Sequence, residues 1–316
     1  MPGRVASRAA PLRRDPPVRT GLRSIRWRRH LIGYLFISPW IAGFALFTAF
    51  PMIYSLFLSF TKYDLLGPPE FVGFSNFERM VSDHLFLTAL GNTAFYTLLA
   101  VPIQLLLALF MALLLNQKLR GINVFRTALY LPTVTPTVAF VVLFVYMYNP
   151  EFGIFNAILG WFGIPKQGWL TDPNLAKPAF IIMSLWHVGG QMVIFLAGLQ
   201  AVPETLVEAA SIDGAGKLRR FWHVTMPMIS PVIFFNLVLG IIGSFQVFAT
   251  AYIATNGGPK HATLFYVLWM YRHAFENFRM GYAATLGWVL LGVILVFTLI
   301  QFAVSRRWVY YEGEGA

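Results

Sequence analysis

The chain has no cysteine among its 316 residues, which excludes a disulfide framework and any thiolate metal or redox centre. Charge is also scarce. Only 12% of residues are charged and just 13 are Asp or Glu, while 57% are hydrophobic and the mean hydropathy is +0.64. Such a composition cannot clothe a water-facing surface, so the main solvent of this protein is lipid. Period-two alternation is missing as well: the block from Leu105 to Leu115 is apolar on every face, which excludes the strands of a membrane barrel.

Two sources of energy are missing too. The nearest approach to a phosphate loop, Gly257-Gly258-Pro259-Lys260, lacks the second glycine, the Lys-Ser/Thr pair and a preceding buried strand, so ATP has no site here. Ion-coupled carriers hold their coupling ion with carboxylates inside their helices. The apolar runs of this chain contain no Asp or Glu. His187 alone lies deep in one, with Lys177 near an end.

What is present is a set of six apolar runs, at about 31–57, 91–115, 124–148, 178–201, 229–254 and 284–304. Each approaches the roughly 20 residues that a hydrocarbon core of about 30 Å requires. Backbone in lipid must satisfy its own hydrogen bonds, so the expected fold is all-α, a polytopic membrane helical bundle of six transmembrane helices. A basic disordered cytoplasmic tail is expected over 1–30, where nine arginines are offset only by Asp15. The six-helix domain follows over 31–306, with a cytoplasmic C-terminal tail over 307–316. Leu31 to Phe60 is too long for a cleaved leader and reads as an uncleaved first helix. The net charge of +11 would suit nucleic acid, but most Lys and Arg fall on one side of a six-span topology, which places both termini in the cytoplasm. Arg272, His273, Glu276 and Arg279 argue against a seventh span in the region 255–283.

The segments between the runs carry most of the information. Phe71-Val72-Gly73-Phe74-Ser75-Asn76-Phe77 forms an aromatic, glycine-containing outer patch, suited to docking or to the headgroup level. A short basic inner turn holds Lys118, Arg120 and Arg126 around Gly121. Pro132 and Pro136 fall inside the third run, where they should kink or restart the helix. The inner segment 203–227 predicts two short helices at an angle. Thr205 and Glu208 have capping-box spacing, Gly214 after Asp213 offers a left-handed stop, and a second helix is expected from Gly216 to Thr225, ending before Pro227.

Glu208-Ala209-Ala210, followed by Asp213-Gly214-Ala215 and Pro227, resembles the EAA loop of ABC importer permeases. The family's usual Ile-x-Leu-Pro is Val224-Thr225-Met226-Pro227 here. The resemblance extends through Phe71 to Asn76, Asn92-Thr93, Arg120-Gly121 to Phe125-Arg126, Leu131-Pro132, Ala197-Gly198-Leu199-Gln200 and Asn256-Gly257-Gly258-Pro259. Together these are similar to the carbohydrate-uptake branch, with a first helix like that of its maltose-F or glycerol-phosphate-A type of subunit. The resemblance implies a multi-pass protein of the bacterial inner membrane. It also implies a companion permease, a homodimeric cytoplasmic ATPase that holds the ATP and Mg, and an extracytoplasmic solute-binding protein. No cofactor or metal is expected on this chain. In such a loop Glu208, Ala209, Ala210, Asp213 and Gly214 would seat in the ATPase, with Glu208 meeting a basic group there. By spacing alone, Glu208 serves equally well in its own capping box.

For the solute path, polar groups buried in spans are the best markers: Gln104, Gln191, Asn236, Ser244 and Gln246. Gln191 follows His187 by one turn and lies near Trp186, and Ser244, Phe245 and Gln246 give a similar mixture in the fifth run. Corresponding segments line the pore in the permeases that this chain resembles. The candidates are therefore Trp186, His187, Gln191, Ser244, Phe245 and Gln246, each with interhelical bonding or packing as its alternative role. Two rival functions are an ion-coupled secondary carrier and a membrane-embedded enzyme. The first wants intramembrane carboxylates, and the second wants clustered acid–base groups at a membrane face.

Overall fold

The computed structural model describes residues 21–117 and 119–310, with side chains from Ile32 onward. The tail expected over 1–20, Lys118 of the basic turn and residues 311–316 lie outside the described residues. The chain divides into two units, 1–55 and 56–316. In the first, helix α1 (Gly21–Phe44) begins ahead of the expected boundary at 31, and a π-turn over Ala45–Ala49 leads into α2 (Phe50–Ser59), which crosses the division between the units.

The second unit opens with a small antiparallel hairpin, β1 (Thr61–Lys62) and β2 (Glu70–Phe71), in which Thr61 pairs with Phe71. Helix α3 (Ser75–Ser82) follows, then α4 (His84–Leu115), whose first turn is capped by Asp83 accepting from the Leu85 and Phe86 amides. That cap starts the second span at 84, where apolar content alone had suggested 91. Helices α5 (Ile122–Tyr130) and α6 (Thr137–Met147) form a broken pair bent by 96°, with Pro132 and Pro136 in the break. After α7 (Ile154–Trp161), helices α8 (Pro173–Ser184) and α9 (Gly189–Gln200) form a second broken pair, bent by 51°. Next come α10 (Glu204–Ile212), α11 (Lys217–Arg220), α12 (Met226–Phe245), α13 (Ala249–Ala254), α14 (Tyr266–Tyr271) and α15 (Met280–Ser305).

Among the described residues four helical stretches are long and apolar enough to cross a membrane, and there are up to six crossings when each bent pair counts as one. The all-α polytopic fold is as expected, but two further boundaries differ. The second helix of the 203–227 segment does not stop before Pro227. It runs unbroken from Lys217 to Phe245 through a π-turn at Phe221–Thr225, in which the Met226 amide reaches back to Phe221. A π-turn skips one carbonyl in the ladder, and this accommodates the N–H that Pro227 lacks. The fifth span, expected to continue to 254, ends at Phe245, and the backbone is out of helical geometry from Gln246 (φ −101°, ψ 14°) to Phe248 (φ −133°, ψ −65°). Irregular backbone at membrane depth is tolerated where it lines a cavity, and Val247 and Thr250 do so.

Helix α4 is the hub of the second unit, packing against α8, α9, α12 and α14. Its contact face is made of small residues, with Ala89, Ala100, Ala108 and Ala112 all fully buried. Lipid tails are as apolar as leucine, so helices in a bilayer associate through close backbone approach and shared hydrogen bonds, which small residues permit. Gly198 serves the α9–α12 contact in this way, since a Cβ there would lie 2.8 Å from the Val232 side chain.

Several motif residues turn out to be staples. Asn76 donates to the carbonyls of Ser59 and Thr61, and Thr285 donates to that of Ser59, which closes the hairpin region onto α15. Asn92 donates to the carbonyls of His261 and Leu264 and accepts from Lys177. Thr93 accepts from the Tyr266 amide. Arg126 of the basic inner turn donates to the Leu115 carbonyl at 2.8 Å and caps the end of α4.

Candidate functional site

Two sites stand at opposite ends of one helix. At the first, α10 starts on Pro203 with no side-chain cap, so the box expected between Thr205 and Glu208 does not form. With Pro203 at the N-cap, Thr205 is already inside the first turn, where its hydroxyl is out of register for capping. Glu208 is exposed and makes no hydrogen bond or ion pair among the described residues. It lines a hollow of about 820 Å³ together with Arg126, Gln200, Glu204 and Phe221. The turn after α10 is a full Schellman motif: the Ala215 amide bonds the Ala210 carbonyl at 2.9 Å and the Gly214 amide bonds that of Ser211 at 3.1 Å. Gly214 has φ +81°, a conformation that a side chain would strain. Asp213 is the C-cap of that helix, Ala209 is exposed and Ala210 half-buried, while Ile212 is left 86% exposed. The loop thus presents a small-residue, partly apolar surface on which the carboxylates of Glu208 and Asp213 make no hydrogen bond or ion pair among the described residues.

The second site is a cavity of about 470 Å³ enclosed by α4, α6, α8, α9, α12 and α13. His187, Gln191 and Ser244 line it, together with Gln104 and Asn236. Trp186, Phe245 and Gln246 do not. Trp186 packs into an aromatic cluster with Phe140 and Phe144, the latter at 5.6 Å in edge geometry. Phe245 is buried against Phe297 of α15 at 5.3 Å, and Gln246 lies exposed beyond the end of α12. Sequence neighbours on a helix point about 100° apart, and that rotation turns Trp186 and Phe245 toward other helices while His187 and Ser244 line the cavity.

The lining also contains residues that the sequence reading passed over: Tyr96, Thr137, Phe180, Ser184 and Thr250. Ser184 was legible in principle, because it precedes His187 by three and Gln191 by seven, on one face. The others reach the cavity only through the way the broken helices pack.

The lining holds no Asp, Glu, Lys or Arg. Its polar groups are unevenly satisfied. Asn236, only 1% exposed, donates from Nδ2 to the Val232 carbonyl while its Oδ1 has no partner, and Gln191 Oε1 is likewise buried and unpaired. Both oxygens are acceptors. Ser244 is engaged, donating to the Ile241 carbonyl and sharing a hydrogen bond with the Thr97 hydroxyl, at 2.9 Å each, so it also fills the interhelical role weighed for it. His187 sits edge-on to Phe140 with ring centroids 4.4 Å apart.

A bundle of broken helices around a cavity lined by uncharged polar and aromatic groups, with a two-helix surface loop joined to one cavity wall by a continuous helix, defines a transport subunit and not an enzyme. Residues 104–310 match the family described as the binding-protein-dependent transport system inner membrane component, and the chain belongs to that family. It is 42% identical over 297 residues to the probable ABC transporter permease protein YesP of Bacillus subtilis (strain 168), covering 92% of this chain and 96% of that one. It is 35% identical to the arabinooligosaccharides transport system permease protein AraP of the same organism, with 94% of each chain covered. With the lactose transport system permease protein LacF of Rhizobium radiobacter it shares 37% identity over 87% of this chain and 94% of that one. In fold it is similar to a chain of a bacterial ABC transporter involved in the import of the acidic polysaccharide alginate, with a TM-score of 0.77, 25% identity, and 90% and 98% of the two chains covered. The protein is a multi-pass membrane permease subunit of an ABC importer.

Proposed function

We propose that this subunit forms half of the pathway for an uncharged, hydroxyl-rich solute of the sugar class, and that the 203–227 loop transmits the closure of an ATPase dimer to the cavity. The observation that carries this reading is the unbroken helix from Lys217 to Phe245. Its first turn belongs to the loop, and Asn236, Leu239, Gly240, Gly243 and Ser244 near its other end line the cavity. At 1.5 Å per residue, about 40 Å of rigid helix joins the two. A displacement imposed at Glu208, Ala209, Ala210, Asp213 and Gly214 therefore moves a cavity wall. Binding energy at the ATPase shifts the population between two states instead of driving chemistry in this chain.

The relatives named for arabinooligosaccharides and lactose support the sugar class. The cavity supports it independently. Buried amide oxygens without partners favour a solute that donates hydroxyl hydrogens, and the rings of Phe140, Phe180 and Tyr96 offer flat apolar faces. A companion permease supplies the other half of the path, an extracytoplasmic binding protein delivers the solute, and the ATPase holds the ATP and Mg. The absence of charge from the lining disfavours ion coupling.

The test is uptake and ATP hydrolysis by the complex reconstituted with its companion permease, ATPase and binding protein. Glu208→Lys is expected to abolish uptake and solute-stimulated hydrolysis while the complex still assembles in the membrane. Normal uptake in that variant would sink the coupling role. ATP-independent uptake by this chain alone would replace it with a carrier.

A further inference from the structure

The segment between α6 and α8 is unusual for a connection. Residues 152–164 contain no charged side chain, and within them α7 exposes Ile154, Ile158 and Trp161 at helical spacing, with Phe162 beside them. Trp161 is 82% exposed and Phe162 75%. In water such a face would fold inward, yet here it is held outward by its own scaffold. Asn156, buried on the opposite side of α7, donates to the carbonyls of Pro150 and Gln167 and accepts from the Gln167 amide and Trp169 Nε1. Phe155 stacks on Tyr148 at 4.8 Å and meets Trp169 at 6.0 Å. All the good partners are thus used on one face, and the other is left bare.

We propose that this face is an interfacial anchor whose partner is the lipid bilayer itself, at the membrane face opposite the 203–227 loop. Three observations select lipid. First, depth: α7 starts directly against the end of a span, because a Cβ on Gly153 would collide with the carbonyls of Met147 and Asn149, and the Gly153 amide bonds the latter at 2.9 Å. The helix therefore cannot rise clear of the hydrocarbon boundary. Second, continuity: Val138, Val142 and Tyr146 form an exposed apolar stripe along α6, and the Tyr146 ring lies 6.3 Å from that of Phe152, so the stripe runs onto the α7 face without a polar gap. Third, polarity: the charged groups of this loop, Glu151 and Lys166, pair with each other at 2.7 Å and are exposed, outside the uncharged stretch. Tryptophan and phenylalanine at the boundary, with the charges kept apart, match the aromatic belt of a membrane and the burial of an interfacial helix about 5–10 Å into the headgroup and acyl boundary. A docking face for a soluble protein would carry a polar rim.

The cysteine-free chain makes the test direct. Single-cysteine variants Ile158→Cys, Trp161→Cys and Lys166→Cys carry a nitroxide label in the full complex, reconstituted in vesicles of phosphatidylethanolamine and phosphatidylglycerol. Collision rates are then measured with oxygen, which partitions into lipid, and with a water-soluble nickel chelate. The expected result is a several-fold higher oxygen-to-nickel ratio at 158 and 161 than at 166. Ile154→Cys reads the same face if Trp161→Cys fails to assemble. Nickel access at 158 and 161 equal to that at 166 would overturn the proposal in favour of an aqueous docking surface. Exclusion of both reagents would overturn it in favour of a face covered by the companion subunit.

Discussion

His273 shows how far one side chain can depart from what its sequence position suggests. Among charged neighbours in a segment read as an outer loop, it is instead buried, held edge-on between Trp269 at 4.4 Å and Tyr282 at 4.7 Å. Neither ring nitrogen has a protein partner. Burial pushes its pKa down from 6.5 to about 4; Asp83 opposes this, while Arg79 and Arg279 add to it. Asp83 is itself engaged, accepting from Trp269 Nε1 and the Tyr282 hydroxyl. As pH falls below 6.5 the unfolded chain takes up a proton that the folded one refuses until about pH 4, so stability declines across that window and then levels. The thermal unfolding midpoint of the purified complex is expected to drop between pH 6.5 and 4, and more steeply than in His273→Phe. Equal slopes for the two proteins would remove His273 as the cause. The residue scale is also where sequence reasoning was weakest. It located Gln191 and Asn236 as polar groups in lipid but grouped Trp186 with His187, and Phe245 with Ser244, by adjacency, and helical rotation separates each pair.

At the scale of elements, the informative features are interruptions. The π-turns at Ala45–Ala49 and Phe221–Thr225 are each followed by a proline, Pro51 and Pro227, so the helices continue through residues that would otherwise break them. By contrast, the breaks at Leu131–Val134 and Leu185–His187 do bend their spans, and they meet at Gly189. A Cβ there would lie 2.5 Å from the Leu129 carbonyl and 2.6 Å from Thr133 Oγ1, whereas one on Gly190 would meet only Thr133 Cγ2 at an ordinary 3.6 Å. Gly189→Ala is therefore expected to destabilise the subunit by about 1–3 kcal/mol through overpacking against fixed backbone. Gly190→Ala is expected to be tolerated. Thermal unfolding of the two variants separates them, and equal behaviour would mean that the two breaks do not bear on each other. The prolines of the 96° bend were visible in sequence. Gly189 was not, because nothing local marks a glycine whose contact lies on a helix some 60 residues away in the chain.

For the whole molecule the open quantity is orientation, since hydropathy locates spans without saying which way they run. From the excess of Lys and Arg on one side of the topology, we propose that the 203–227 loop lies inside. On that reading Leu66, at 93% exposed in the β1–β2 connection, and Ile212, at 86% exposed at the end of α10, report on opposite sides. In the cysteine-free background, Leu66→Cys should react with a membrane-impermeant maleimide in intact spheroplasts, and Ile212→Cys only after permeabilisation. The reverse pattern would invert the topology and detach the loop from any cytoplasmic ATPase.

Composition and run length by themselves determined that this chain lives in lipid, that it is helical, and that its apolar runs hold no carboxylate, because a hydrocarbon solvent leaves so few ways to satisfy a backbone or to solvate a charge. The two short helices around Glu208 were legible too, since the turn between them at Asp213-Gly214 is written in consecutive residues. Only the tertiary structure decided that this loop and the cavity share one continuous helix, that Asn92, Asn76 and Arg126 are staples, and which of the polar span residues look inward. Those outcomes depend on rotation about helix axes and on close backbone crossings between segments far apart in the chain, and neither quantity is encoded in any local pattern.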